Sequence, residues 1–290
     1  MVSRPTLPSV DPTPSQLLLV DSVDRPGLVH QITGVLWRHG ANILTNHEFV
    51  DREARRFFMR TEFAGVAALG AVVTELEALL PPGAVVRIGR AGSHRIVILA
   101  TREHHCVGEL LLRHAYHELG ASIQAIVSNH STLASLGERF DVPFHHVPHE
   151  QVSRADHEAA VLKALEPYEP DYLVLAKYMR ILSRSFVDRY RQRVINIHHS
   201  FLPAFVGSRP YHQAFERGVK IIGATAHFVT EELDEGPIIA QGVVPVSHSY
   251  GPNEMAQAGR DVEKIVLAKA LKLVFEERIF LSGKRVIVFD

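Results

Sequence analysis

Two apolar periodicities share this chain, and they change over near residue 94. The run "QLLLVDSV" reads as a strand, and "DRPGLVHQITGVLWRHGAN" follows it with Leu28, Ile32, Val35 and Leu36 at helical spacing. Asp24 is placed to cap that helix, Pro26 suits its first turn, and Gly40 stops it. "ILTNHEFV" and "RRFFMRTEF" then alternate as two strands around the polar turn "DREA", which predicts an antiparallel hairpin. "VAALGAVVTELEALL" predicts a second helix ended by "PPG", and "AVVRIG" supplies one more strand. The order βαββαβ over residues 15–90 is that of a ferredoxin-like unit. Residues 1–14, rich in Pro and Ser, read as a loose tail, and "RAGSH" reads as a linker.

From His94 to Asp290 the pattern becomes strand and helix in alternation: "RIVILAT", "CVGELLLRHAYHELG", "SIQAIVS", "VPFHHV", "HEAAVLKALEPY", "DYLVLA", "RVINIHH". Strands made of unbroken Val, Ile and Leu are buried on both faces, so the expectation is an open, mostly parallel α/β sheet. Ligands bind such sheets at the carboxyl ends of the strands. "GATAHFVTEELDEGPIIAQGVVPV" predicts strand, loop and strand, the stretch from Asn253 to Phe280 one long helix, and "KRVIVFD" a closing segment.

Composition narrows the partners. With 290 residues and 46% hydrophobic content the chain can bury full cores. Its net charge of -1 offers no basic field for nucleic acid or an anionic membrane, and no run of 18 apolar residues is present. A single cysteine, Cys106, makes no internal disulfide, which fits the cytoplasm. Eighteen histidines, including His104 and His105 beside Cys106 and the group His145, His146 and His149, invite a metal reading. Neither CxxC nor HExxH occurs, so the expectation is no metal.

The stretch "INIHHSFLP" puts an amide and an imidazole, Asn196 and His198, on one face of an otherwise apolar strand. A core histidine satisfied by its neighbour is one reading. A catalytic pair at a strand end is the other, and Asp234 in "HFVTEELDEGPII" offers the carboxylate that such a pair needs.

These residues carry a resemblance. "NIHHSFLPAFVGSRPYHQAFERGVKIIGATAHFVTEELDEGPI" is similar to the signature of the folate-dependent formyltransferase family, and "DRPGL" with "GANIL" resembles an ACT domain, a module that commonly senses amino acids. "LAKYMRIL" and "AGRDVEKIVLAKAL" extend the likeness along almost the whole chain after residue 14. It implies a formyltransferase-type domain over residues 94–290, with Asn196, His198 and Asp234 acting on the formyl group of 10-formyltetrahydrofolate. It implies that folate is held by Met179, Arg180, Ile181 and Leu182 and by Thr225, His227, Val229, Glu232 and Leu233. For the ACT unit it implies pairing into a homo-oligomer and an amino-acid effector such as glycine or methionine, at Asp24, Arg25, Pro26, Gly27 and Asn42. Members that transfer to a phosphorylated amine carry a Gly-rich loop after the first strand, where this chain has "REHHC". Members that formylate tRNA or act as dehydrogenases carry further C-terminal domains, and this sequence closes at Asp290. Water is then the expected acceptor, with no cofactor, releasing formate for purine synthesis and balancing the folate one-carbon pools. Two alternatives stand beside it: an amino-acid-sensing folate-binding regulator, and transfer to an amine acceptor.

Overall fold

A computed structural model describes residues 15–202 and 210–289, which fall into two compact units, one reaching to Arg90 and including Phe289, the other Ala91–Val288. The tail, Pro203 of the "SFLP" motif and Asp290 lie outside the described residues.

The first unit runs β1 (Gln16–Val23), α1 (Leu28–Arg38), β2 (Asn42–Asp51), β3 (Arg56–Ala64), α2 (Leu69–Leu79) and β4 (Val85–Ile88). Its four strands lie in the order β2-β3-β1-β4, with all three pairings antiparallel. Leu28, Ile32, Val35 and Leu36 are the buried face of α1, as their spacing predicts. They pack with Leu18 and Val20 of β1, Phe57, Met59 and Phe63 of β3, and Val72 and Leu76 of α2. The start of α1 differs from expectation. Gly27, at φ 88, holds the capping position, no side chain caps the helix, and Asp24 lies upstream with its N–H on the Arg55 carbonyl at 2.9 Å.

In the second unit the chain runs β5 (His94–Ala100), α3 (His105–Ala115), β6 (Ala121–Ser128), α4 (Ala134–Arg139), β7 (Phe144–His146), α5 (Arg154–Leu165) and β8 (Tyr172–Ala176). It continues through α6 (Arg184–Arg189), β9 (Val194–His198), α7 (Pro210–Glu216), β10 (Ile221–Phe228), β11 (Ile238–Pro245), α8 (Pro252–Phe275), β12 (Ile279–Ser282) and β13 (Arg285–Val288). The sheet order is β11-β10-β9-β8-β5-β6-β7. Five strands, β7 through β9 in that order, are parallel, while β10 and β11 run antiparallel at one edge. The chain builds outward from β5 through β6 to β7, then returns to β8 on the other side, so the order reverses between β5 and β8. A crevice opens at such a reversal.

Both faces are covered, as continuous apolar strands require. Ile96, Ile98, Val174, Ile195 and Ile197 pack with Leu110 and Leu111 of α3 and Val266, Leu267 and Leu271 of α8. Val97, Leu99, Leu173, Leu175 and Val194 face the other way, onto Val161 and Leu165 of α5 and Phe186 of α6. Alternation therefore sends Asn196 and His198 to the α5 and α6 side, at the carboxyl end of β9. One expected element is shorter than its pattern: α8 ends at Phe275, Glu277 takes φ 55, and Ile279 and Phe280 belong to β12.

Candidate active site

Three segments meet at the carboxyl end of the sheet. After β8, Lys177 adopts a left-handed backbone at φ 61, a conformation costing about 1 kcal/mol or more for a residue with a Cβ. The chain then runs through Tyr178–Leu182, tied at both ends to neighbouring elements. The Met179 N–H donates to Thr101 Oγ1 at 3.0 Å, and the Ser183 N–H donates to Glu158 Oε1 on α5 at 2.7 Å. β9 supplies Asn196 and His198, and β10 places His227 directly opposite Asn196 and Thr225 opposite His198. The loop from Val229 to Pro237 carries Asp234, also left-handed at φ 57. It folds tightly on β10: a Cβ on Gly236 would sit 1.7 Å from the Phe228 carbonyl oxygen, so only glycine fits.

These segments line one cavity of about 250 Å³. Asn196, His198 and Asp234 line it together, as do Met179, Arg180, Ile181, Leu182, His227, Val229, Glu232 and Leu233. Met179 and Ile181 are 57% and 60% exposed, large apolar side chains at a cavity rim rather than in a core. Thr225 corrects the expectation. It is fully buried, it is not among the lining residues, and its hydroxyl donates to the Ser200 carbonyl while accepting from the Leu202 N–H and the Gln241 amide. It pins the chain just after His198 and has no bond left for a ligand.

The polar contacts define the chemistry. His198 Nδ1 lies 3.3 Å from Asp234 Oδ2, and His227 Nε2 lies 3.6 Å from Asp234 Oδ1. His227 Nδ1 faces the Phe228 carbonyl at 2.9 Å, an acceptor only, so Nδ1 carries a proton. Its Nε2 meets the Asn196 amide nitrogen at 3.2 Å. Burial pushes the Asp234 carboxyl up, but the neighbouring imidazoles of His198 and His227 outweigh it and hold that carboxyl well below the usual carboxylate range. His198 is 6% exposed, and its Nε2 is buried with no hydrogen-bond partner. A buried ring nitrogen left unpaired at a cavity wall is a position for a ligand atom.

Sequence reasoning passed over several lining residues, Lys177 and His199 among them. Both stand inside motifs quoted for their likeness, and nothing in a sequence separates a lining side chain from its neighbours. Lys177 Nζ lies 3.3 Å from Glu263 Oε2, a carboxylate that also meets His105 Nε2 at 2.8 Å and takes the Tyr211 hydroxyl at 2.5 Å.

The Formyl transferase family matches residues 94–271, and the ACT domain family matches residues 16–81. A formyltetrahydrofolate deformylase of Escherichia coli (strain K12) is 52% identical over 265 residues, covering 91% of this chain and 95% of its own. This chain belongs to the formyltetrahydrofolate deformylase family. The crystal structure of a formyltetrahydrofolate deformylase from Pseudomonas syringae pv. tomato str. DC3000 aligns with a TM-score of 0.90 at 39% identity, over 95% of this chain and 94% of that one. Glycinamide ribonucleotide transformylase 1 from Symbiobacterium toebii aligns at 0.66 and 30% identity, over 69% of this chain and 96% of its own. The likeness to the deformylase thus extends through the N-terminal unit, while the transformylase matches a part close in size to the second unit alone.

In this deformylase-family chain the expected effector residues Asp24, Arg25, Pro26 and Gly27 form the exposed loop between β1 and α1. Arg25 is already engaged, donating to Gln31 Oε1 at 2.8 Å and to the Leu79 carbonyl at 3.0 Å. Asn42 opens β2 at an exposed position. Among the described residues no helix is long and apolar enough to cross a membrane.

Proposed function

We propose that the chain hydrolyses 10-formyltetrahydrofolate to tetrahydrofolate and formate. The observation that carries this reading is the convergence of Asn196, His198 and Asp234 on one cavity, with the His198 Nε2 buried and without a hydrogen-bond partner. Membership of the deformylase family supports water as the acceptor. The turn after β5 supports it too: "TREHH" carries side chains where a phosphate cradle needs close backbone approach.

In this reading the pterin lies against Met179–Leu182 and the Val229–Leu233 loop, which brings the N10-formyl group to His198. Water oxygen bonds to the formyl carbon, and the carbonyl electron pair moves onto oxygen. The second N–H of the Asn196 amide and the protonated Nε2 of His198 donate to that oxyanion. Asp234, kept ionised, favours the imidazolium and fixes its ring. When the carbonyl re-forms, the C–N10 bond breaks, N10 takes the proton that the attacking water gave up, and formic acid leaves and ionises to formate.

Metal has no part in this reading. His105, Cys106 and Glu263 have ligand spacing, but the Lys177 ammonium occupies the cationic place beside Glu263, and burial pushes the Cys106 thiol up so that it stays protonated. We also assign the N-terminal unit an amino-acid effector, with glycine and methionine the first to try, and a homo-oligomer formed through it. A buried lone cysteine suits work in the cytoplasm. The test is to incubate the full chain with 10-formyltetrahydrofolate without amine, nucleotide or metal, in the presence of a chelator. Formate and tetrahydrofolate in equal amounts are expected, and no formate above the uncatalysed rate would overturn the reading.

A further inference from the structure

Lys177 lines the cavity, yet the hydrolytic set leaves it unused. It stands two residues beyond Leu175, which pairs with Asn196, so its place at the end of β8 matches that of His198 at the end of β9. Its side chain is buried, and its Nζ meets carboxylates on two elements, Glu263 Oε2 of α8 at 3.3 Å and Glu103 Oε1 at 3.9 Å. Glu263 is fully buried and also takes His105 Nε2 at 2.8 Å and the Tyr211 hydroxyl at 2.5 Å. Burial pushes the Glu263 carboxyl up, but His105, the Lys177 ammonium and the Tyr211 hydroxyl outweigh it and hold it at about 2.

Stability does not account for a lysine here. Its left-handed backbone at φ 61 costs about 1 kcal/mol or more, and a buried ion pair stabilises no better than apolar side chains of the same volume. The position of the pair suggests what it does. Glu103 and His105, which meet Lys177 and Glu263, line a second cavity of about 750 Å³ together with Arg102, Gly108 and Arg260. The pair thus stands where the two cavities adjoin. His199 feels both of its charges and lies beside His198, ring centroids 5.0 Å apart, which puts the pair next to the formyl position.

A buried carboxylate beside a reactive carbonyl is a seat for an amine. A neutral primary amine donates its N–H bonds to such a carboxylate and keeps its lone pair directed away from it. We propose that Lys177 selects the acceptor: its ammonium occupies Glu263 and the space in which an amine would dock, and, being protonated, offers no lone pair of its own, so that water reacts instead. This rests on the hydrolytic reading above and names the side chain that enforces it. Rejection works by occupancy. With the side chain shortened, an amine nitrogen bonds to the formyl carbon, the C–N10 bond breaks and the amine proton passes to N10, giving the formylated amine and tetrahydrofolate.

The test compares wild type with Lys177→Gly, Lys177→Ala and Lys177→Met in the full chain, given 10-formyltetrahydrofolate and excess glycinamide, which has as many heavy atoms as the lysine side chain. At about pH 8.5 an amine of the α-amino kind, with a pKa of about 8, is mostly neutral. The readout is the ratio of N-formylglycinamide to formate, which is independent of how far a substitution slows total turnover. That ratio is expected to rise about tenfold or more over wild type in the Gly and Ala variants, and to stay at the wild-type value in Lys177→Met, whose side chain refills the space. Methylammonium chloride, compared with sodium chloride at equal concentration, is expected to raise the Tm of Lys177→Gly by about 2 °C or more and to leave wild type unchanged, because only the variant has a Glu263 without its cation. An unchanged ratio in both shortened variants, an equal rise in Lys177→Met, or no methylammonium effect would each overturn the assignment. So would loss, in both shortened variants, of binding to a folate analogue carrying carbon in place of N10, since Lys177 would then hold the site together rather than select the acceptor. A wild-type chain that releases no formate, or that formylates glycinamide ahead of water, would overturn the hydrolytic reading itself.

Discussion

At His198 the two ring nitrogens have different surroundings: Nδ1 faces an ionised Asp234, and Nε2 is buried without a hydrogen-bond partner. Removing either partner should spare binding and damage turnover. His198→Ala and Asp234→Asn are each expected to lower kcat about 100-fold or more with analogue affinity retained, and Asn196→Ala by a similar factor if its amide meets the oxyanion. Near-normal kcat in any of the three would remove that residue from the mechanism. Asp234 also ties stability to pH. Its carboxyl is depressed in the folded chain, so as pH falls the unfolded chain binds the proton first, below the ordinary carboxylate pKa near 4. The contribution of the pair is complete above that range and is lost as pH falls through the lower folded value. Urea midpoints measured from about pH 6 down to about pH 3 should therefore fall less steeply for Asp234→Asn than for wild type. Parallel curves would show that the pair does not couple to folding.

Among the elements, the loop after β10 depends on Gly236, and Gly236→Ala would drive a methyl group into the Phe228 carbonyl. The loop must then move, so this variant is expected to lose folate affinity and turnover together, read as a KM rise with a kcat fall. Unchanged kinetics would mean that the loop can shift without carrying Asp234. The end of β8 is held in another way. Lys177→Met leaves the Glu263 carboxylate buried without its cation, and the expected cost is about 3 kcal/mol of stability in denaturant titration. Much of this was legible beforehand. Alternation marked the hairpin of the first unit and unbroken apolar runs marked the strands of the second, and the spacing of Leu28, Ile32, Val35 and Leu36 gave the buried face of α1. Three features were not. The start of α1 is set by the left-handed Gly27 rather than a side-chain cap, and the end of α8 by a left-handed glutamate, Glu277, in a stretch whose apolar residues continue unchanged into β12. Thr225 shares a face with His227, yet its hydroxyl is consumed by the chain that follows His198, a contact made by folding and carried by no local pattern.

For the molecule as a whole, the question is what the N-terminal unit adds to a domain that already holds the proposed catalytic set. Hydrolysis drains one-carbon units from folate, so a sensor in the same chain has an evident use. In the full chain, glycine or methionine is expected to change the rate of formate release and, by linkage, to bind with a different affinity when a folate analogue is present. An effector site in the N-terminal unit is contradicted if calorimetry finds binding of neither amino acid and neither alters the rate. The central claim is that water, and not an amine, receives the formyl group. It is tested most directly by running the reaction in oxygen-18 water with a primary amine in excess and following the formyl carbon by mass spectrometry. The account predicts formate carrying one heavy oxygen in an amount equal to the tetrahydrofolate formed, with the amine unmodified. Formylated amine accumulating with tetrahydrofolate, and formate left unlabelled or absent, would contradict it.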